Sequence, residues 1–201
     1  MIAIVDYGVG NLFSLKSSLD MLGLKAEVTS DKTRILRAKQ VILPGVGAFG
    51  DAAKKLESSG LKEAVLRVAE SGTPILGICL GMQLLFDKSY EYGEHDGLSL
   101  IHGKICPLAD DIGGLKVPHM GWNSLDIVKA SPLMKYVSAG EYVYFVHSYY
   151  AKECEKDTVS TSFYGVDVTA VVGRGNVFGT QFHPEKSGDV GLRILKAFGE
   201  M

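Results

Sequence analysis

Cysteine, tryptophan and proline are all scarce: the 201 residues include three Cys, one Trp and six Pro. Cys79, Cys106 and Cys154 fall at unrelated spacings, which gives neither a disulfide framework nor a zinc pattern. A reducing cytoplasm is the expected setting. An excess of one charge is also missing. The formal net charge is −2, which argues against nucleic acid or an anionic membrane as the main partner. Long apolar runs are absent too. The longest uncharged stretch, Ser71 to Phe86, is broken by Pro74, Gly77 and Gly81 and is too short to span a bilayer. Met1–Asp6 lacks the basic flank and cleavage site of a secretory signal and reads as a first strand.

What remains is an ordinary globular composition, 46% hydrophobic and 22% charged. A chain of this length buries about 70% of its unfolded surface and needs no metal or disulfide staple. Residues 1–201 are expected to form one domain.

The first half alternates short apolar runs with amphipathic stretches, as a βαβ series should. Strands are expected at Ile2–Val5, Ala26–Thr29, Val41–Leu43 and Ile75–Ile78, and helices at Leu12–Leu22, Ala52–Ser58, Leu61–Glu70 and Leu80–Phe86. None of the strands alternates cleanly with polar residues, which suits a parallel sheet buried on both faces. After a turn-rich joint at Asp110–Gly114 the composition changes. Tyr, Val and Thr cluster in Glu141–Val146, Thr158–Phe163, Val166–Val172 and Val177–Phe182, which favours antiparallel strands and hairpins. Gly188–Phe198 reads as a closing helix. The expected fold class is α/β: a mostly parallel sheet flanked by helices, with an antiparallel β extension.

Chemistry concentrates at Gly77-Ile78-Cys79-Leu80-Gly81. A Gly-x-Cys-x-Gly run between a strand and a helix is the thiol form of the nucleophile elbow. Its glycines are needed because the strained turn leaves no room for a Cβ beside the nucleophile. Far downstream, His183-Pro184-Glu185 offers a base and its orienter. Pro184 biases His183 towards an extended conformation, which would bring His183 and Glu185 to one side of the chain. Acyl transfer also needs donors for a developing oxyanion. Two sources present themselves: the N–H of Leu80, and the Gly45-Val46-Gly47 turn, where glycine permits close backbone approach. That turn lacks the Lys-Ser/Thr of a phosphate-gripping loop. His95 and His102 read as surface or loop residues. His119 and His147 lie in aromatic, glycine-containing segments, where pocket lining and ordinary packing both fit.

The Pro44-Gly45-Val46-Gly47 turn, Gly77-Ile78-Cys79-Leu80-Gly81-Met82-Gln83 and Phe182-His183-Pro184-Glu185-Lys186 occur in an order and spacing that resemble the triad glutamine amidotransferases. The likeness runs from Met1 to Met201. More narrowly, Asp6–Asn11, Pro44–Gly50, Pro118–Asn123 and Tyr144–Tyr149 are similar to the glutaminase subunits of imidazole glycerol phosphate synthase. The resemblance implies a flavodoxin-like class I amidotransferase fold and no cofactor or metal. Cys79 would attack the side-chain amide of L-glutamine, His183 would move the proton to the leaving ammonia, and Glu185 would hold His183. Val46, Gly47 and Leu80 would form the oxyanion hole, while Gly47, Gln83, Ser148 and Tyr149 would bind substrate. Ammonia would pass to a (β/α)8-barrel cyclase in a heterodimer serving histidine biosynthesis, with Asn11, Met120, Trp122 and Lys186 at the interface.

Three rival readings remain at this stage: a glutaminase serving another synthase, a flavodoxin-like cysteine redox sensor, and a general thiol hydrolase. The Asp6–Asn11 turn and the Trp122 segment weigh against the first. The His-x-Glu pair, which a sensor does not need, weighs against the second. Turnover of glutamine but not of peptides would decide the third.

Overall fold

A computed structural model describes residues 1–201. The first half follows the βαβ series. β1 (Ile2–Val5) leads into α1 (Leu12–Met21), β2 (Ala26–Thr29), α2 (Lys32–Leu36), β3 (Gln40–Leu43), α3 (Phe49–Ser58), α4 (Leu61–Glu70), β4 (Ile75–Ile78) and α5 (Leu80–Gln83). The middle holds β5 (Lys88–Ser89), β6 (His95–Asp96), β7 (Lys104–Pro107), β8 (His119–Ser124) and β9 (Asp126–Ile127). The second half contains β10 (Tyr142–His147), β11 (Tyr149–Lys152), β12 (Thr158–Phe163), β13 (Asp167–Arg174), β14 (Val177–Thr180) and α6 (Gly188–Gly199). No helix is long and apolar enough to cross a membrane.

Eight strands form the main sheet in the order β2-β1-β3-β4-β14-β13-β12-β9. The pairs from β2 through β14 are parallel, and those from β14 outward to β9 are antiparallel. β1, β3, β4 and β14 are buried at every position, as expected of strands covered on both faces. Alternate side chains of β1 point to opposite layers. Ala3 and Val5 join Ile35, Leu56 and Val65 under α2, α3 and α4, whereas Ile2 and Ile4 join Leu15, Leu19 and Phe198 under α1 and α6.

Three expectations are corrected. β14, expected in the antiparallel extension, pairs parallel with β4 and antiparallel with β13, so the chain reaches His183 from the central sheet. The helix after the elbow stops at Gln83 instead of reaching Phe86. The carbonyls of Leu84, Leu85 and Phe86 accept from Leu98, Ser99, Leu100 and Ile101 instead, so tertiary pairing replaces the next helical turn. α3 begins at Phe49, not Ala52, because the Glu91 carboxylate accepts from the Phe49 N–H at 2.6 Å and caps the helix from a distance.

Candidate active site

β4 ends at Ile78, and Cys79 turns sharply with φ 54° and ψ −112°. A non-glycine residue held there carries about 1–3 kcal/mol of backbone strain. The surrounding structure maintains it: the Cys79 N–H donates to the Thr180 carbonyl at 2.7 Å, which extends the β4–β14 ladder past the strand end. A Cβ on Gly77 would lie 2.6 Å from the Gly81 carbonyl oxygen and 2.7 Å from Met82 Cα. Gly77 and Gly81 therefore serve close packing, and the left-handed conformation falls on Cys79 itself.

His183 follows β14 in an extended conformation, φ −97° and ψ 100°. Pro184–Lys186 then forms a 3-10 turn, so Glu185 meets the ring by way of that turn and not along an extended strand. Its Oε1 lies 2.8 Å from His183 Nδ1, and both side chains are only 3% exposed. A carboxylate accepts, so Nδ1 carries the proton and Nε2 is left for Cys79. Burial alone would depress the imidazolium. The nearby Cys79 sulfur and the bonded Glu185 carboxylate outweigh it and raise the His183 pKa to about 9.

Cys79 and His183 open onto a cleft of about 330 Å³. Val46, Gly47, Leu80, Gln83, Ser148 and Tyr149 all line it. Lys186, expected at a partner interface, stands at the same cleft. Met120 and Trp122 do not. They project from the outer face of β8, 60% and 52% exposed. Asn11 caps α1, accepting from the Ser14 N–H at 3.4 Å, and with Val46 and Glu185 borders a small space beneath the triad. A wider cleft of about 460 Å³ lies beside Cys154, whose thiol is pushed up by burial and hydrogen-bonded only to Thr158 and Thr169. No base stands over that sulfur. No group of His, Cys, Asp and Glu side chains converges to hold a metal ion.

Comparisons with known proteins identify the family. The family model for class-I glutamine amidotransferases matches residues 3–199. The chain is 52% identical to the imidazole glycerol phosphate synthase subunit HisH of Wolinella succinogenes, covering 100% of both chains. It is 50% identical to HisH of Caldanaerobacter subterraneus, over 100% of this chain and 98% of that one. This chain belongs to the class-I glutamine amidotransferases, in their HisH branch.

The fold recurs in solved structures of low sequence identity. A glutamine amidotransferase crystal structure superposes with a TM-score of 0.76 at 20% identity, covering 99% of this chain and 100% of that one. The PurLQS structure from Thermotoga maritima gives 0.75 at 19% identity, with 98% and 96% covered.

Three residues of this amidotransferase escaped the sequence reading. Gln181 is fully buried and donates from Nε2 to Cys79 Sγ at 3.8 Å, while its Oε1 accepts from Gln83 at 3.1 Å. Its place two residues before His183 was the available signal. Glu91 presents a carboxylate to the cleft, raised in pKa by burial although the Phe49 N–H lowers it. No motif marks it, because α3 lies far from it in the chain. Tyr7 donates its hydroxyl to the Pro44 carbonyl at 2.7 Å and so braces the glycine turn; burial, and then the nearby Cys79 charge, push its pKa up.

Proposed function

We propose that the chain hydrolyses glutamine through a thioester on Cys79 and delivers the ammonia to a (β/α)8-barrel cyclase subunit. The observation that carries this reading is that Cys79 and His183 open on one cleft while Glu185, bonded to His183 Nδ1, holds the ring. The sulfur attacks the side-chain amide carbon of glutamine. Negative charge on the amide oxygen is met by the Leu80 N–H and by the Val46–Gly47 segment of the turn. The His183 imidazolium gives its proton to the departing nitrogen, which leaves as ammonia, and the acyl group remains on sulfur as a thioester. Neutral His183 then takes a proton from water as the oxygen attacks the thioester carbon. Glutamate departs and the sulfur is restored.

The cleft also indicates how the amino-acid end is held. Gln83 was expected at the α-amino or carboxylate end of the substrate. Its NH₂ is committed to the Tyr149 carbonyl and to Gln181 Oε1, each at 3.1 Å, so only its own carbonyl is left for a ligand. That suits the α-ammonium, as does the Glu91 carboxylate.

The released ammonia must stay neutral to act as a nucleophile, so a docked partner and a sealed path suit the chemistry. The cyclase uses it to convert a phosphoribulosyl-formimino-carboxamide ribonucleotide into imidazole glycerol phosphate and aminoimidazole carboxamide ribotide. Asn11, Met120, Trp122 and Lys186 form the contact. The oxyanion turn is presented fully only in the loaded complex. A Cβ at Gly45 would meet Gly81 N at 2.7 Å and Tyr7 Oη at 2.9 Å, whereas nothing lies within 4 Å of one at Gly47. Freedom to turn a peptide therefore resides at Val46–Gly47. The test is ammonia-coupled product formation and glutamine turnover, with and without a barrel cyclase and its nucleotide. Equal glutamine turnover in the two cases would refute control of the turn by the partner, and absence of coupled product would refute the reading as a whole.

A further inference from the structure

β8 and β10 form a two-stranded ribbon in which Trp122 lies opposite Tyr144, and His119 opposite His147. Met120 and Trp122 occupy its outer face, while His119 and His147 are buried on the inner one. Two imidazoles buried in contact are costly unless their nitrogens are matched. His147 Nδ1 lies 2.9 Å from the Tyr149 carbonyl oxygen, which can only accept, so this nitrogen carries the proton. Burial pushes the His147 pKa down to about 3, despite the bond to Tyr149 and with further lowering from His119 and His183. Its Nε2 is therefore a bare acceptor, and His119 Nδ1, 3.0 Å away, donates to it. His119 is held flat between the rings of Phe145 and Tyr164, at centroid distances of 4.8 and 4.0 Å. Its Nε2 lies 2.9 Å from Asn123 Oδ1, an acceptor while Asn123 Nδ2 donates to the Phe163 carbonyl, so this contact is met only by a second proton on His119, which burial disfavours.

The chain of contacts continues past Tyr149. The same carbonyl accepts from Gln83 Nε2 at 3.1 Å, and Gln83 also donates to Gln181 Oε1 at 3.1 Å. With that oxygen taken, Gln181 turns its NH₂ to Cys79 Sγ at 3.8 Å. Each link thus has a fixed direction, and the last presents an N–H to sulfur, the group that suits negative charge there.

We propose that His119 and His147 position the glutamine pocket and that Gln181 holds the Cys79 sulfur, the three being joined through the Tyr149 carbonyl and Gln83 into one hydrogen-bonded chain. This rests on the reading of the site as a glutaminase. Its consequence is that the strand presenting Trp122 outward carries, on its inner face, the support of the pocket wall.

The test is the kinetics of glutamine hydrolysis by the chain assembled with a barrel cyclase, for His147→Leu, His147→Asn, Gln181→Leu and the His147→Leu/Gln181→Leu double variant. His147→Leu should raise KM for glutamine about tenfold, as expected for one buried hydrogen bond left unmade, with kcat changed less than about threefold. His147→Asn, whose Nδ2 can replace the ring Nδ1–H, should return KM to within about threefold of wild type. Gln181→Leu should lower kcat about tenfold with little change in KM. His147 and Gln181 share no hydrogen bond, so independent roles would make their losses multiply. A common chain predicts that the double variant loses less than the product. Multiplying losses, or an Asn variant as impaired as the Leu variant, would overturn the proposal. So would loss of ammonia-dependent synthesis in the same variants, which would assign these residues to the folding core. A wild-type complex unable to hydrolyse glutamine would instead sink the functional reading beneath it.

Discussion

A Cβ added to Gly81 would lie 1.8 Å from the Leu43 carbonyl oxygen, so the elbow and the end of β3 meet backbone to backbone. Neither side is a flexible side chain that could move aside. Gly81→Ala should therefore lower the unfolding free energy by about 3 kcal/mol or more, the upper range for overpacking. Denaturant titration checks this, and an unchanged midpoint would mean that the two segments can separate freely.

Cys79→Ala should abolish glutamine-dependent synthesis by the assembled enzyme and leave ammonia-dependent synthesis intact, because ammonia can enter from solvent. His183→Ala should behave alike. Glu185→Gln retains an acceptor for the ring Nδ1–H, at 2.8 Å in the native pair, and should keep part of the activity. Parallel loss of both syntheses in Cys79→Ala would make Cys79 a structural residue.

His183 and His147 line the same cleft and are shifted in opposite directions. The folded pKa of His183, about 9, exceeds its ordinary 6.5, so its contribution to stability is complete below about 6.5 and fades as pH rises through 9. That of His147 is depressed from 6.5 to about 3, so its contribution is complete above 6.5 and fades as pH falls through 3. Glu185→Gln should flatten the alkaline fall of a urea-midpoint profile, and His147→Asn the acid one. Wild-type slopes in both variants would contradict this assignment.

Glu91→Gln keeps an oxygen for the Phe49 N–H and removes the charge facing the cleft. KM for glutamine should rise about tenfold or more, as for a lost hydrogen bond to a charged group, with the melting temperature little changed. An unaltered KM would place the substrate ammonium elsewhere.

Trp122 stands 52% exposed, edge-on to Tyr144 at 6.0 Å, and little of the fold depends on it. Trp122→Ala should weaken binding of the cyclase about 30-fold, the effect of losing an aromatic anchor. Calorimetric titration would show it, and unchanged affinity would move the interface away from this face.

The central sheet was legible because its strands are short apolar runs between amphipathic helices, and the elbow because Gly-x-Cys-x-Gly needs little context. β5 and β6 were not: Lys88-Ser89 and His95-Asp96 pair without any apolar alternation to announce them. α2 was also missed, although Asp31 caps it by accepting from the Thr33 and Arg34 N–H groups at 2.8 and 3.4 Å. Five residues are too few for helical periodicity to emerge. Within the site, the residues inside the motifs could be named from the sequence. Gln181, although two residues from His183, and Glu91 act through tertiary hydrogen bonds that no motif announces. Trp122 lies outside the core because β8 belongs to a two-stranded ribbon with one face uncovered.

Cys79 and His183 leave the ends of adjacent strands, β4 and β14, which are aligned Ile78 to Thr180. The lateral pitch of a sheet, about 4.8 Å, thus sets the spacing of the two strand ends from which sulfur and imidazole depart. Insertions or deletions in loops away from β10, whose Tyr144 carbonyl accepts from the His183 N–H, can reshape what docks against this molecule and leave the reacting atoms in step. A scaffold of this kind lets one hydrolytic pair be refitted to many acceptors without being retuned each time.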